Sequence, residues 1–170
     1  MIEVIFSHGL EGSPLGSKAK VIKEICKANN VEFTTIDYKD CKTANERVAL
    51  LESNIKNNSN VLILVGSSMG GYVSAVCSSK YESLGLFLIA PALYLTGYEV
   101  QEYKSKSQII NVRHGWDDDI IPVDNSIKFC KIHNCNLTID YDDHRMSKTR
   151  KELAIHFTNF LKACMFRNLV

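Results

Sequence analysis

The hydrophobic and polar positions follow two alternating patterns along the chain. Short runs of consecutive apolar residues, many of them β-branched, predict strands that are buried on both faces. Longer stretches with apolar residues three and four positions apart predict amphipathic helices. The predicted strands are 2–6, 31–37, 61–65, 84–90, 109–112 and 137–141. Helices are predicted from about Ser17, from Thr43, after Gly71, over 124–133 and from about Ser147.

This alternation of strands and helices predicts one α/β domain over residues 1–170, because strands joined by helices of such lengths form a parallel sheet. The sheet is expected to be mostly parallel, with helices on both faces. Residues 92–107 are less regular and contain Leu95, Tyr98 and Tyr103. We expect them either to cover a site at the carboxyl edge of the sheet, as a short lid, or to form a surface connection with a short helix.

The strand at 61–65 runs into Gly-Ser-Ser-Met-Gly-Gly at 66–71. Gly66, Ser68 and Gly70 meet the glycine-x-serine-x-glycine spacing of a nucleophile elbow, a sharp turn from strand to helix that leaves no room for flanking side chains. Ser67 fails this test, because Val65 would take the place of the first glycine. Phosphate-binding and dinucleotide-binding glycine motifs are absent from the sequence. Ser68 is therefore the candidate nucleophile.

A serine nucleophile needs a histidine that removes its proton and an acid that orients this histidine. In the elbow architecture the order along the chain is serine, acid, histidine, each on a loop after a strand. His144 follows the last predicted strand and is the expected base. His133 and His156 lie in helix patterns, and His114 is expected to shape a turn.

The acid is expected in the loop that follows the strand at 109–112. Asp117, Asp118 and Asp119 are adjacent there. Such residues commonly form turns and cap helices, and the pattern alone leaves all three open as the acid.

Four motifs together suggest a family. They are 6–14 with Ser-Lys-Ala at 17–19, then 66–71, then His-Gly-Trp-Asp-Asp at 114–118 with Pro122, and Asp-His-Arg at 143–145. In this order the chain resembles the α/β-hydrolase superfamily, and within it the small bacterial YqiA-like esterases, which have a minimal cap or none.

The resemblance implies Asp118 as the acid, with Asp117 and Asp119 as alternatives. It also implies an oxyanion hole made by the backbone amides of Leu10 and Met69. The expected activity is that of a carboxylesterase-type serine hydrolase acting on a small ester, with short acyl chains, through an acyl-enzyme and without a cofactor. The alternatives are a thioesterase or acyl-protein deacylase, and a non-catalytic binding module on the same fold.

The composition indicates which classes of partner the chain can bind. The chain has 20 basic and 19 acidic residues and a net charge of +1. This balance does not indicate binding to nucleic acid or to an anionic membrane surface, and it favours small neutral partners. The apolar runs are too short to span a bilayer, the N-terminus does not resemble a signal peptide, and nothing indicates a particular oligomeric state.

Six cysteines without a Cys-x-x-Cys pair are typical of reduced thiols in a cytoplasm. Cys130, His133 and Cys135 lie close in sequence but lack a fourth ligand nearby, so no metal site is expected.

Overall fold

Six strands form one sheet in the computed structural model, which describes residues 1–169. The strands are β1 (Ile2–Ser7), β2 (Glu32–Ile36), β3 (Val61–Ser67), β4 (Ser83–Ile89), β5 (Ser107–Gly115) and β6 (Asn136–Asp140). Their order is β2-β1-β3-β4-β5-β6, and every neighbouring pair is parallel. The predicted α/β fold with a parallel sheet is confirmed.

Five helices cover the two faces of the sheet. They are α1 (Ser17–Ala28), α2 (Ala44–Lys56), α3 (Met69–Lys80), α4 (Val123–His133) and α5 (Arg150–Arg167). Helices α1 and α5 pack on one face, and α2, α3 and α4 pack on the other. No helix within the described residues is long and apolar enough to cross a membrane.

Alternate side chains of the central strands supply two separate hydrophobic layers. In β4, Leu86 and Leu88 belong to the layer under α2, α3 and α4, whereas Phe87 belongs to the layer under α1 and α5. Phe87 is fully buried, with its ring centroid 5.3 Å from that of Phe157 and 5.1 Å from that of Phe160. Because both faces are covered, loops at the carboxyl ends of the strands are free to build a site.

Strand β5 extends three residues beyond its predicted end at 112. Arg113 is almost completely buried, and its guanidinium pairs with the carboxylate of Asp140 on β6. His114 is also fully buried. Two polar residues at a strand end favour a loop in the sequence, but here each has a polar partner that only the folded chain provides, Asp140 for Arg113 and Ser126 for His114.

The last helix begins at Arg150, three residues later than predicted. The Asp142 carboxylate accepts hydrogen bonds from the backbone amide and the hydroxyl of Thr149, both at 2.8 Å. These bonds hold the intervening residues in turns, because the chain must fold back for Thr149 to reach Asp142.

The connection from β4 to β5 contains no helix. Within it, Leu93 and Tyr103 are buried in the layer under α2, α3 and α4, and the ring of Tyr98 packs at a tilt against that of Tyr72 on α3, with centroids 4.4 Å apart. The segment 92–107 therefore packs onto the domain next to the carboxyl edge of the sheet.

Candidate active site

Ser68 lies in the sharp turn between β3 and α3. Its backbone has φ of 55° and ψ of −122°, a positive-φ conformation that is strained for serine. A Cβ atom at Gly66 would collide with the carbonyl oxygen of Gly70, and one at Gly70 would collide with the carbonyl oxygen of Ser7. The glycine spacing read from the sequence thus reflects close backbone contacts. Ser67 is buried as the last residue of β3.

His144 connects Ser68 to Asp118. Its Nε2 atom lies 2.9 Å from Oγ of Ser68, and its Nδ1 atom lies 2.8 Å from Oδ2 of Asp118. A carboxylate can only accept, so Nδ1 carries the hydrogen, and Nε2 is left to accept the hydrogen of the serine hydroxyl. The structure brings together the three residues that the sequence placed after three different strands.

Asp118 is the aspartate of its loop that meets His144. Its side chain is fully buried, whereas Asp117 and Asp119 are exposed. The second carboxylate oxygen, Oδ1, accepts hydrogen bonds from the backbone amides of Ile120 at 2.9 Å and Ile121 at 2.8 Å. Asp118 thus both orients His144 and shapes its own turn.

The charge of Asp118 is stabilised by its donors. Burial alone would raise the pKa of the carboxyl, but hydrogen bonds from His114, from His144 and from the two backbone amides outweigh it and hold the pKa well below its usual range. The carboxylate is therefore ionised at neutral pH.

His114 lies at the end of β5, as expected, and contacts residues of the turn that follows. Its Nε2 atom lies 2.9 Å from Oδ2 of Asp118 and 3.0 Å from the carbonyl oxygen of Ile121, and its Nδ1 atom lies 2.7 Å from Oγ of Ser126. Both partners of Nε2 are acceptors, so Nε2 carries a hydrogen, and Nδ1 can accept from the serine hydroxyl. In the sequence, the four-residue spacing between His114 and Asp118 was the feature that could have indicated their contact.

His133 and His156 form no hydrogen bond with Ser68 or Asp118 within residues 1–169. His133 stacks on Phe129, with ring centroids 4.0 Å apart, and its Nδ1 donates to the Phe129 carbonyl oxygen at 2.9 Å. His156 lies on α5, and its buried Nδ1 has no hydrogen-bond partner within residues 1–169.

The loop after β1 lies against the candidate nucleophile. A Cβ atom at Gly9 would be 3.1 Å from Cβ of Ser68. The carbonyl oxygen of Gly9 accepts hydrogen bonds from Nδ1 of His8 at 2.7 Å, from the amide of Gly12 at 3.2 Å and from Nη1 of Arg47 at 3.2 Å. Burial lowers the pKa of His8, which is consistent with a neutral ring that donates through Nδ1.

The three hydrogen bonds to the Gly9 carbonyl oxygen also orient the backbone amide of Leu10. In a trans peptide the carbonyl and the following N–H point in opposite directions, so fixing the Gly9 oxygen fixes the direction of the Leu10 amide. Neither this amide nor that of Met69 donates a backbone hydrogen bond within the described part of the chain. Arg47, buried on α2, was not singled out in the sequence.

A cleft of about 530 Å³ opens beside Ser68 and His144. It has an apolar part formed by Ala92, Leu95, Tyr98, Ile120 and Ile121. It also has a charged part formed by Glu11, Lys18 and Arg145.

All six cysteines are free thiols. Within residues 1–169, no group of three or more His, Cys, Asp or Glu side chains is arranged to hold a metal ion. Cys130 and Cys135 are linked through their backbones, by a hydrogen bond from the Cys135 amide to the Cys130 carbonyl oxygen at 3.1 Å.

Comparisons with known proteins agree with this fold. A sequence model of the family described as "Uncharacterised protein family (UPF0227)" matches residues 3–100. A candidate hydrolase of the alpha/beta superfamily from Xanthomonas campestris pv. campestris superimposes with a TM-score of 0.87 at 22% identity, covering 95% of this chain and 98% of that one. No curated protein sequence matches the chain.

Two further structures are similar. An alpha-beta serine hydrolase homologue from Coxiella burnetii has a TM-score of 0.81 at 15% identity, covering 94% of this chain and 85% of that one. XC6422 from Xanthomonas campestris, described as an a/b serine hydrolase without lid, has a TM-score of 0.79 at 15% identity, covering 95% and 81%. The predicted α/β-hydrolase fold and the family resemblance are confirmed.

Proposed function

Since the chain belongs to the Uncharacterised protein family (UPF0227) and has an α/β-hydrolase fold, we propose that it is a serine hydrolase that cleaves carboxylic esters. The observation that carries the proposal is the imidazole of His144, which links the Ser68 hydroxyl to the Asp118 carboxylate through both ring nitrogens. A hydroxyl, an imidazole and a buried carboxylate in this sequence of contacts can generate a nucleophile at neutral pH.

In the first half of the proposed reaction, Oγ of Ser68 forms a bond to the ester carbonyl carbon while its proton moves to Nε2 of His144. The tetrahedral intermediate collapses, the carbon–oxygen bond to the alcohol breaks, and the alcohol oxygen takes the proton from Nε2. Asp118 stabilises the imidazolium that exists between these two transfers. The product of this half is an acyl-enzyme on Ser68.

In the second half, water attacks the acyl carbon and gives a proton to Nε2. The bond from the acyl carbon to Oγ then breaks, and Ser68 takes the proton back. Every step balances with the ester and water alone, so the proposed reaction needs no cofactor.

The amides of Leu10 and Met69 are proposed to bind the oxygen that becomes negative in each tetrahedral intermediate. Their freedom from other backbone hydrogen bonds supports this role. Losing one such donor typically costs about 3 kcal/mol of transition-state stabilisation.

We expect short acyl chains to be preferred. The apolar part of the cleft is bounded by Leu95, Tyr98 and Ile120, and Ile120 is largely exposed. A partly open surface of this kind gives a long chain little additional burial. Rates with p-nitrophenyl esters of increasing acyl length test the expectation, and a preference for long chains would contradict it.

A fluorophosphonate probe tests the proposed function itself. Wild-type protein should be labelled covalently, and Ser68→Ala should not, whereas Ser67→Ala should keep the label. If folded wild-type protein is not labelled, the fold serves here as a binding module.

Matched oxygen esters and thioesters distinguish an esterase from a thioesterase or acyl-protein deacylase, because the same three residues can cleave both bonds. Placement in a cytoplasm, supported by six free thiols, is part of the proposal.

A further inference from the structure

Lys18 brings an unpaired positive charge into the cleft. It lies in the first turn of α1 and lines both the cleft beside Ser68 and an adjoining recess of about 120 Å³. Its side chain is partly buried, yet within residues 1–169 its ammonium forms neither an ion pair nor a side-chain hydrogen bond. A partly buried cation without a partner is costly, and a bound anion would offset that cost.

The carboxylates near Lys18 already accept hydrogen bonds from other residues. Burial lowers the pKa of the Lys18 ammonium, and the nearby carboxylate of Asp142 opposes this shift. However, Asp142 accepts hydrogen bonds from Thr149 and from the amide of Asp143, and Asp143 accepts one from the amide of Arg145. These carboxylates shape the loop that carries His144 and leave Lys18 without a direct partner.

A second cation lies in the same cleft. Arg145 follows His144, is exposed, and its guanidinium forms no ion pair with any described residue. Glu11 is the acid that lines the cleft, and it is exposed to solvent. The first turn of α1 contains no acidic residue and no capping side chain, so the positive end of the helix dipole adds to the same potential.

The charged and apolar parts of the cleft belong to opposite faces of the sheet. Lys18 lies on α1 and Arg145 precedes α5, and these two helices cover one face. Leu95, Tyr98 and Ile121 pack with the hydrophobic layer of the other face. Ser68 lies between them at the end of the central strand β3, so a substrate at Ser68 can reach both parts.

From this arrangement we infer that the preferred ester carries an anionic group, a carboxylate or a phosphate, which binds between Lys18 and Arg145 while its apolar part contacts Leu95 and Tyr98. The inference rests on the proposed esterase function and specifies its substrate class. The near-neutral net charge of the whole chain does not oppose it, because recognition depends on the charges lining the cleft.

The test uses ester pairs that differ in one charge. The p-nitrophenyl monoester of terephthalic acid and its methyl ester place the charge on the acyl side, where the rigid ring keeps the carboxylate from attacking its own ester, and 4-acetoxybenzoate and its methyl ester place it on the alcohol side. We expect kcat/KM for the charged member of one pair to exceed that of its neutral partner by about ten-fold or more, as for a charged hydrogen bond. The pair that shows the preference identifies the side on which the anion lies, and 4-acetoxyphenyl phosphate tests a phosphate in place of the carboxylate.

Variants assign the preference to named residues. Lys18→Met and Arg145→Gln should each lower the charged-to-neutral ratio of kcat/KM several-fold, and the double variant should abolish it. Lys20→Met removes an exposed lysine from the same helix outside the cleft and should keep the ratio. An equal loss for both members of a pair would show that Lys18 only supports the fold, and a ratio near one in wild type would overturn the inference.

Binding without turnover separates this inference from the proposed function. In Ser68→Ala, calorimetry should show tighter binding of the charged ester than of its methyl ester, and Lys18→Met should remove the difference. If wild type binds with this preference but neither hydrolyses esters nor reacts with a fluorophosphonate, the proposed function fails and the anion site stands. If esters are hydrolysed without any charge preference in rate or binding, the anion site fails and the function stands.

Discussion

Nε2 of His114 and Nδ1 of His144 lie against the same oxygen of Asp118. Nε2 of His114 lies 2.9 Å from Oδ2 of Asp118, and Nδ1 of His144 lies 2.8 Å from it. The two backbone amides on Oδ1 complete the set of donors around this carboxylate. Asp118 is thus fixed on one side by its own turn and on the other by a buried histidine, which leaves it one orientation toward His144.

The three adjacent aspartates should differ sharply in their effect on rate. Asp118→Asn should lower kcat by about 1,000- to 10,000-fold, because an amide favours the wrong tautomer of the histidine that it contacts. Asp117→Asn and Asp119→Asn change exposed side chains and should alter kcat less than about three-fold. Steady-state hydrolysis of p-nitrophenyl acetate measures all three. A large loss in either control and not in Asp118→Asn would reassign the acid.

Replacing His114 should change the pH dependence of the reaction as well as its rate. His114→Leu removes one donor from the Asp118 carboxylate, which then interacts more strongly with a protonated His144. We expect the acid limb of the pH–rate profile to move to higher pH. We also expect kcat to fall about ten-fold or more, because Asp118 loses a contact that fixes its orientation toward His144.

His114→Gln is the matched control, because its side-chain nitrogen can occupy the place of Nε2 and still donate to Asp118. It should recover part of the rate and return the limb toward the wild-type position. If both variants lose rate while the limb stays in place, His114 supports only the fold.

Stability should decline in acid partly because of Asp118. Its pKa is lower in the folded protein than its ordinary value of 3.8, so its contribution to the free energy of unfolding is complete above that value and is lost as the pH falls below it. Urea unfolding at about pH 6 and about pH 3 should therefore show a smaller pH-dependent loss in Asp118→Asn than in wild type. Asp119→Asn should retain the wild-type loss, and an identical loss in all three proteins would contradict the assignment.

The ion pair between β5 and β6 should contribute more to the free energy of unfolding than an exposed ion pair does. Asp140→Ala leaves the guanidinium of Arg113 buried without its partner and should lower the free energy of unfolding by about 3–5 kcal/mol. Glu52→Ala breaks the more exposed pair with Lys80 and should cost less than about 1 kcal/mol. Chemical denaturation measures both, and equal losses would show that burial does not govern the Arg113 pair.

The sequence predicted the features that depend on local pattern. Apolar runs located all six strands, and glycine spacing located Ser68, because a sharp turn excludes Cβ atoms at fixed neighbouring positions. The order of the loops along the chain selected His144, which the structure places against Ser68. The choice of Asp118 over its neighbours required a family resemblance, since a shift of one residue reverses the direction of a carboxylate without changing the composition of the loop.

Features that depend on side-chain contacts between separate segments or turns were missed. The contacts of His114 with Asp118 and Ser126 were not predicted beside its expected role in the turn, because the packing of α4 on β5 brings Ser126 to it. The start of α5 was placed too early because the hydrogen bonds that Thr149 donates to Asp142 compete locally with helix formation. Arg47 lies 38 residues from Gly9, and nothing near it in sequence marks it as different from other helical arginines.

Arg47 gives the last prediction, which concerns the proposed oxyanion hole. Its Nη1 atom donates to the carbonyl oxygens of His8 and Gly9, each at 3.2 Å, from a position almost completely buried on α2. Without it, the Gly9 peptide is held only by His8 and Gly12 and can rotate, which turns the Leu10 amide away from the place where negative charge develops. Arg47→Met keeps the buried aliphatic stem but removes the donors.

We expect Arg47→Met to lower kcat by about ten- to one hundred-fold with little change in KM, since the oxyanion is stabilised mainly in the transition state. Arg47→Lys should restore part of the rate, because an ammonium can still reach one of the carbonyl oxygens. Titration with a fluorophosphonate gives the number of reactive Ser68 sites, and this number separates two causes of a low rate. A misdirected amide lowers the rate of every site while all sites remain reactive, whereas a damaged fold lowers the number of sites and leaves the rate per site unchanged.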